Sequence, residues 1–425
     1  MSVTRRQFLS AAAVVGGAGA LTASPLLTRD PAASASALPN PATCGVDHVV
    51  VVMMENRSFD HFLGWLPGAD GRQAGLSYTD RYGAHQATHH LTNYASCGHN
   101  DPDHSYEGGR IQFNNGRADG WLRAGEDDIL PIGYFEKPDL GFLGRAAPQW
   151  TVCDRYFSAV MAETYPNRFY LHSAQTDRTH NSTTTSTLPT IWDRLAAASV
   201  SARYYYSDVP FLALWGAKYL PISRPFTSFL TDAATGQLPS VSVIDPRFLD
   251  EASGSSADDH PHADIRAGEE FLNEVYQSVT TSPNWSRTML VITYDEWGGF
   301  YDHVAPTTAP DVSPTTALRG FRVPTVVISP RARRGQVAHN TYDHTSVLKA
   351  IEWRWGLSAL TPRDTAARNL AEVLDFSSAA NTEAPAYLIP PFVATACAPG
   401  PLAGPEESEW SSLKTKAAAA GWSIP

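Results

Sequence analysis

The chain has 425 residues and a formal net charge of −11 at pH 7. Charged residues make up 18% of the sequence and hydrophobic residues 43%, which is typical of a globular protein with a large core. The acidic charge argues against a nucleic-acid partner, because nucleic-acid-binding proteins carry a basic surface. It also argues against docking on anionic lipid, and we expect no stable membrane insertion.

Residues 1–37 have the features of a twin-arginine export signal. Arg5 and Arg6 precede an apolar stretch rich in alanine and glycine, and small residues between Ala33 and Ala37 offer cleavage sites. A transmembrane anchor is the alternative, but the apolar stretch is short and contains several glycines. We therefore predict a secreted or cell-envelope protein that uses the export machinery, with a main domain at 38–376 and a C-terminal tail at 377–425.

The first predicted strand is the apolar run at residues 49–54, which is rich in valine. Such a run is typical of a strand buried on both faces of a helix-covered parallel sheet. It ends at Glu55 and Asn56, two oxygen donors placed where open α/β sheets bind ligands. The alternative is a loop with a solvated acid.

Residues 70–120 are polar and show no helical or strand periodicity, so we predict a long irregular loop. The loop contains His99 and His104, either of which could contact a phosphate or protonate a leaving oxygen. Surface histidines without a function are the alternative.

The four cysteines all follow the export signal and lack the spacing of a zinc site. In an oxidising compartment they allow one or two structural disulfides, and the sequence leaves the pairing open. The residues concerned are Cys44, Cys97, Cys153 and Cys397.

A helix is predicted to begin near Thr164, because Pro166 fits the first helical turn. A hydroxyl at a helix N-terminus faces unpaired backbone amides and the positive end of the helix dipole, which favour a phosphate. The Thr164 hydroxyl is therefore a candidate member of a phosphate site, and a simple helix cap is the alternative.

Further strands and helices are predicted along the middle of the chain. A helix covers 188–200, a strand covers 203–206, and another strand at 241–245 ends in an acid. Aromatic residues at 211–215 could form a cage for a quaternary ammonium group, but core packing is the preferred interpretation.

A histidine-rich segment precedes a helix predicted to run to about Val279. Asp258 and His262 stand four residues apart, and His260 or His262 could hold a phosphate or donate a proton. A loop without a function is the alternative.

A second apolar strand, at residues 289–294, also ends in acids, Asp295 and Glu296. Buried acids at one edge of a parallel sheet are costly unless a cation lies between them. Another strand follows at 324–330, and a helix begins near Asp343 or Thr345 with His344 as a further site candidate. From Ser377 onward we predict an extended tail with one late amphipathic turn.

Two segments resemble the signature blocks of the bacterial phosphoesterase family. They are ENRSFDHF at residues 55–62 and DEWGGFYDHV at residues 295–304. This family contains the non-zinc phospholipases C and related acid phosphatases, within the alkaline-phosphatase-like superfamily. The resemblance implies an α/β fold, a three-layer sandwich with a mostly parallel central sheet, and makes 38–376 the catalytic domain.

The resemblance also implies roles for the candidate residues. A divalent cation, calcium or another hard ion, is expected on Glu55, Asn56, Thr164, Asp295 and Glu296. Thr164 is expected to attack phosphorus, and charge balance and proton donation are expected from His104, His260, His262 and His344.

The resulting prediction is an exported metal-dependent phospholipase C that cleaves a phospholipid diester through a phosphothreonine. The substrate is a phospholipid or a small phosphate ester. One alternative is an acid phosphatase that hydrolyses monoesters on the same scaffold. Another is a non-catalytic exported protein with a structural calcium site.

Overall fold

A computed structural model describes residues 38–126, 128–397 and 405–425, and the predicted export signal lies outside these residues. The described strands are β1 His48–Met54, β2 Ser77–Thr79, β3 His85–Ala87, β4 His89–His90, β5 Gly133–Tyr134, β6 Thr151–Cys153, β7 Tyr156–Phe157, β8 Ala202–Tyr206, β9 Ser223–Pro225, β10 Val241–Asp245, β11 Thr288–Tyr294, β12 Thr325–Ile328, β13 Val337–Ala338 and β14 Tyr342–Asp343.

The described helices are α1 Phe59–Leu63, α2 Tyr106–Phe113, α3 Leu143–Ala146, α4 Thr164–Ser173, α5 Ile191–Ala197, α6 Phe226–Ala234, α7 Ile265–Thr280, α8 His344–Trp355, α9 Pro362–Ala366 and α10 Pro405–Ala419. Short 3₁₀ segments add Pro41–Thr43, Asn114–Gly116, Leu130–Ile132, Phe211–Trp215, Leu220–Ile222, Glu251–Ser253, Trp285–Arg287 and Leu370–Val373.

The centre of the fold is an eight-stranded sheet in the order β13-β6-β12-β11-β1-β10-β8-β9. The strands from β11 to β9 in this order are all parallel, whereas β12 is antiparallel to both of its neighbours. With its flanking helices, this mixed and mostly parallel sheet gives the predicted α/β fold. Strand β1 lies in the middle, and Val50, Val51 and Val52 are fully buried there, as predicted for a strand covered on both faces.

The predicted helices of the middle of the chain are confirmed, with small shifts at their ends. In α5 the residues Ile191, Trp192 and Leu195 face the core. Helix α8 begins after Asp343, whose carboxylate accepts the Thr345 N–H at 3.0 Å as an N-cap. The aromatic residues of Phe211–Trp215 are buried, which confirms core packing there.

Two predictions about irregular regions were wrong. The polar region at 70–120 contains short strands and α2, which starts at an N-cap where Ser105 accepts the Gly108 N–H at 2.9 Å. The tail does not end in a single amphipathic turn, because α10 is 15 residues long and buries Trp410. In both places stability comes from capping or tertiary packing, which periodicity does not report.

One disulfide, Cys97–Cys397, joins residues 300 positions apart, while Cys44 and Cys153 are buried free thiols. Among the described residues, no helix combines the length and apolar character needed to cross a membrane.

Candidate active site

The sheet register brings the acid-ended strands together. β1 and β11 are parallel, and Met54 lies opposite Tyr294, so that Glu55 and Asp295 leave the sheet side by side. The Asn56 N–H donates to Asp295 Oδ1 at 3.2 Å. The side chains of Glu55, Asn56 and Asp295 are fully buried. Together they form the carboxylate cluster that was predicted at this edge of the sheet.

The cluster already contains one cation, the guanidinium of Arg168, which the sequence analysis missed. Arg168 lies 2.9 Å from Asp295, 3.2 Å from Glu55 and 3.0 Å from Asp245 at the end of β10. Burial by itself lowers the pKa of Arg168, but the three carboxylates raise that pKa by more than burial lowers it. Arg168 therefore stays charged. The sequence did contain a signal for this role. Arg168 stands four residues after Thr164 on α4, and positions i and i+4 share a helix face.

Thr164 is the first residue of α4 and is fully buried. Its Oγ1 donates to Asn56 Oδ1 at 3.3 Å, and Glu163 rather than Thr164 stands at the N-cap position. The hydroxyl therefore faces the carboxylate cluster instead of capping its own helix. The structure brings Thr164, Asn56 and Asp295 into one hydrogen-bonded set.

Asn56 adopts a left-handed backbone conformation with φ of 62°. Residues other than glycine rarely adopt it, and such positions concentrate at functional sites. The backbone of Gly298 approaches closely, since a Cβ at Gly298 would lie 2.0 Å from the Asn56 carbonyl oxygen. The glycine after Asp295-Glu296 is thus needed for this packing.

A second group of buried side chains adjoins the cluster. His104 Nδ1 donates to the Pro102 carbonyl at 2.8 Å, which leaves its Nε2 facing Asn56 Nδ2 at 3.4 Å. His260 lies 3.2 Å from Glu251 and 3.6 Å from Asp101. Sequence reasoning missed Glu251 and Asp101, because each becomes relevant only through its contact with His260.

The remaining predicted histidines are engaged with backbone carbonyls. His344 Nε2 donates to the Asp295 carbonyl at 2.6 Å, and the Tyr156 hydroxyl lies 3.3 Å from His344 Nδ1. Burial lowers the pKa of His344 to about 4, so it is neutral at pH 7. His262 Nε2 donates to the His99 carbonyl at 2.8 Å.

The described residues contain two compact groups of acid and histidine ligand atoms within 4.8 Å of one another. Asp101, His104 and His260 form one of them. Asp60, Asp302 and His303 form the other, but Arg322 binds both of its carboxylates, at 3.1 Å and 2.8 Å. That guanidinium makes the second group a buried ion-pair network, whereas the first borders the carboxylate cluster.

The sequence matches the Phosphoesterase family over residues 46–358. Non-specific phospholipase C6 of Arabidopsis thaliana is 31% identical over 388 residues, covering 80% of this chain and 74% of that protein. Phospholipase C B of Mycobacterium tuberculosis is 30% identical over 473 residues, covering 90% of this chain and 86% of that protein. Among solved structures, phosphonate monoester hydrolase of Agrobacterium radiobacter aligns with a TM-score of 0.39 and 10% identity over 77% of each chain.

Proposed function

The chain belongs to the phosphoesterase family, and on that premise we propose that it is an exported, metal-dependent phospholipase C. Family membership makes it a hydrolase of phosphoric ester bonds. The proposal adds the substrate, a phospholipid diester cleaved to diacylglycerol and a phosphorylated head group. The observation that carries it is the Thr164 hydroxyl, held at the start of α4 against Asn56 and the carboxylate cluster.

The carboxylate cluster fits a divalent cation by its charge. Three buried carboxylates, those of Glu55, Asp245 and Asp295, contact one guanidinium, which leaves a negative surplus when all are ionised. The buried Glu296 directly follows Asp295. Buried carboxylates without a counter-charge are costly. Glu55, Asn56, Thr164, Asp295 and Glu296 would hold the ion, and oxygen donors of this kind suit calcium or another hard ion. When bound, the ion would stabilise negative charge on the phosphate and favour ionisation of the Thr164 hydroxyl.

In the proposed reaction, Thr164 Oγ attacks phosphorus and the bond to the diacylglycerol oxygen breaks. The Thr164 proton passes to solvent water as the new O–P bond forms, and the departing oxygen takes a proton from His104 or His260. The intermediate is a phosphodiester that joins Thr164 to the head group, and water hydrolyses it at phosphorus, which restores the hydroxyl and releases the phosphorylated head group. Arg168 supports the negative charge on this side of the site, whereas the Tyr165 N–H at the start of α4 already donates to Asn181 Oδ1 at 2.8 Å.

The histidines divide into two roles in this proposal. His104 borders Asn56 and His260 packs against the His104 ring, and these two are the candidates for contacting phosphate and protonating the leaving oxygen. His344 positions Asp295 through the backbone, since its ring contacts the Asp295 carbonyl and Tyr156. His262 supports the loop that carries His99.

The decisive experiment compares substrates and metal content. We expect the purified chain to hydrolyse bis(p-nitrophenyl) phosphate faster than p-nitrophenyl phosphate, to release diacylglycerol from micellar phospholipid, and to lose both activities in chelator. Faster monoester hydrolysis would make it an acid phosphatase. Bound calcium without turnover would make it a structural calcium protein.

Asp295→Asn tests the proposed ligand set. We expect the variant to lose metal, measured by elemental analysis, together with activity, because it removes one negative charge from the cluster. The exposed Asp119, paired with Arg123 on the surface, provides the control Asp119→Asn. Equal metal content in wild type and Asp295→Asn would remove Asp295 from the ligand set.

A further inference from the structure

The C-terminal helix α10 buries a tryptophan beside the proposed site. Trp410 is fully buried, and its ring stacks on Phe248 with centroids 3.9 Å apart and an interplanar angle of 4°. The edge of the stack meets Tyr165, whose ring centroid is 4.9 Å from that of Trp410. Tyr165 directly follows Thr164, so the helix reaches the layer next to the proposed nucleophile.

The same stack lies against the guanidinium of Arg168. The Arg168 Cζ is 4.7 Å from the Phe248 ring centroid and 5.8 Å from that of Trp410. Arg168 thus contacts both carboxylates and aromatic rings. Aromatic faces attract a guanidinium and keep water away from it, which strengthens its bonds to Glu55 and Asp295.

The contact uses the face of the indole ring and not its N–H group. The Trp410 Nε1 atom is buried and has no hydrogen-bond partner among the described residues. A buried donor left without a partner costs stability, and packing at this position therefore has to offset that cost.

Other residues dock α10 without reaching Arg168. Leu413 and Ala417 are buried on the same face of the helix. Beyond the end of α10, Trp422 is nearly fully buried and its Nε1 donates to the Gly216 carbonyl at 3.0 Å. Trp422 packs against Tyr206, at 6.0 Å between centroids. The chain therefore offers two buried tryptophans in one docked segment, of which Trp410 contacts Arg168.

We propose that Trp410 is a positioning residue of the active site, which holds Arg168 in place against Glu55 and Asp295 from the C-terminal helix. This inference rests on the proposed function, because it assigns Arg168 to the reaction centre. Without the indole, Arg168 would face a cavity that water can enter, and its guanidinium could turn away from Asp295. A small displacement of charged groups at a reaction centre lowers turnover strongly.

The test compares Trp410→Ala, Trp410→Phe and the control Trp422→Ala, with bis(p-nitrophenyl) phosphate as the probe. We expect Trp410→Ala to lower kcat by about 100-fold, the size of effect that misplacement of reacting groups produces. KM should change little, because alignment matters in the transition state more than in binding. Trp410→Phe keeps an aromatic face and should restore most of kcat.

Trp422→Ala separates positioning from docking. It should lower the melting temperature while kcat stays near the wild-type value, measured at a temperature where every variant is folded. The inference is overturned if Trp410→Ala keeps wild-type kcat, if Trp422→Ala lowers kcat as much as Trp410→Ala, or if Trp410→Phe restores nothing.

A measurement without turnover distinguishes this inference from the proposed function. If wild type hydrolyses no phosphate ester, the proposed function fails, but contact between Trp410 and Arg168 is still measurable by a double-mutant cycle of unfolding free energies. We expect Trp410→Phe and Arg168→Lys to be non-additive, and additive effects would overturn the coupling. In an active enzyme, additivity would overturn the positioning role alone.

Discussion

At the scale of single residues, Thr164 carries the proposed chemistry. If Thr164 is the nucleophile, Thr164→Ala should lower turnover by roughly 1000-fold or more, as loss of a covalent nucleophile does. Thr164→Ser should keep part of the activity, because the attacking oxygen remains. Mass spectrometry of acid-quenched reactions should find, on the peptide that contains Thr164, a phosphoryl group that still carries the second ester group of the diester substrate.

The control for Thr164 is Thr190, which caps α5 in a capping box with Asp193. Thr190→Ala should cost about 1 kcal/mol of stability with little loss of turnover. A fully active Thr164→Ala enzyme that is never labelled would reduce Thr164 to a structural role.

His344 makes stability depend on pH. Burial lowers its folded-state pKa to about 4, below the value of about 6.5 for an unfolded histidine. Between these values the unfolded chain binds more protons, so the His344 contribution to stability is present above about pH 6.5 and is lost as pH falls toward 4. We expect the wild-type unfolding free energy, measured by denaturant titration, to fall across this range with a steeper slope than in His344→Asn.

Some slope should remain in His344→Asn, because burial also lowers the pKa of His172 to about 3. The neutral His344 keeps its Nε2–H donor on the Asp295 carbonyl. The pH effect reports burial of the ring, because that hydrogen bond by itself raises the pKa. Identical slopes in the two proteins would contradict a buried neutral His344.

At the scale of elements, the disulfide links the segment that leads to His104 with the segment that contacts His260. Cys97 lies in the segment that leads to His104, and the Cys397 N–H donates to the Ala252 carbonyl at 2.9 Å, next to Glu251. Glu251 in turn contacts His260 at 3.2 Å. The bridge therefore restrains the segments that hold His104 and His260.

Cys397→Ala should lower the unfolding free energy by about 2–4 kcal/mol, the usual effect of a lost native disulfide. It should also lower turnover, because the segments that hold His104 and His260 are no longer restrained by the bridge. Denaturant titration and the aryl diester assay measure the two effects.

The matched control is Cys44→Ala, which removes a buried free thiol and no bridge. In denaturant, wild type should show two reactive thiols before reduction and four after it. Four thiols before reduction, or equal stability loss in both variants, would contradict a structural bridge.

At the scale of the whole molecule, the proposed route is folded export through the twin-arginine pathway. Changing Arg5→Lys together with Arg6→Lys should abolish secretion and leave precursor in the cytoplasm, because the paired arginines are the recognised feature of such signals. Immunoblots of medium and cell fractions measure this. Arg117→Lys, in the main domain, serves as the control. Continued secretion of the double variant would contradict export through the twin-arginine pathway.

Several features of the molecule follow from local sequence. The valine-rich run of β1 and the apolar run of β11 form buried strands because β-branched and apolar residues fit a sheet covered on both faces. Asp343 caps α8 because its carboxylate reaches a free amide in the first turn. The oxygen donors Glu55, Asn56, Asp295 and Glu296 could be located from sequence, since parallel strands end at one edge.

Other features depend on which segments meet in space. The pairing of Cys97 with Cys397 spans 300 residues, so spacing along the chain holds no information about it. Arg168 enters the carboxylate cluster because α4 presents that face to the ends of β1, β10 and β11. The length of α10 and the burial of Trp410 come from docking against Phe248 and Tyr165. The sequence alone therefore determined the buried strands β1 and β11, the Asp343 cap and the oxygen donors, because these depend on neighbours along the chain. Only the tertiary structure decided which cation compensates the acids, because a buried charge takes its partner from whatever element packs against it.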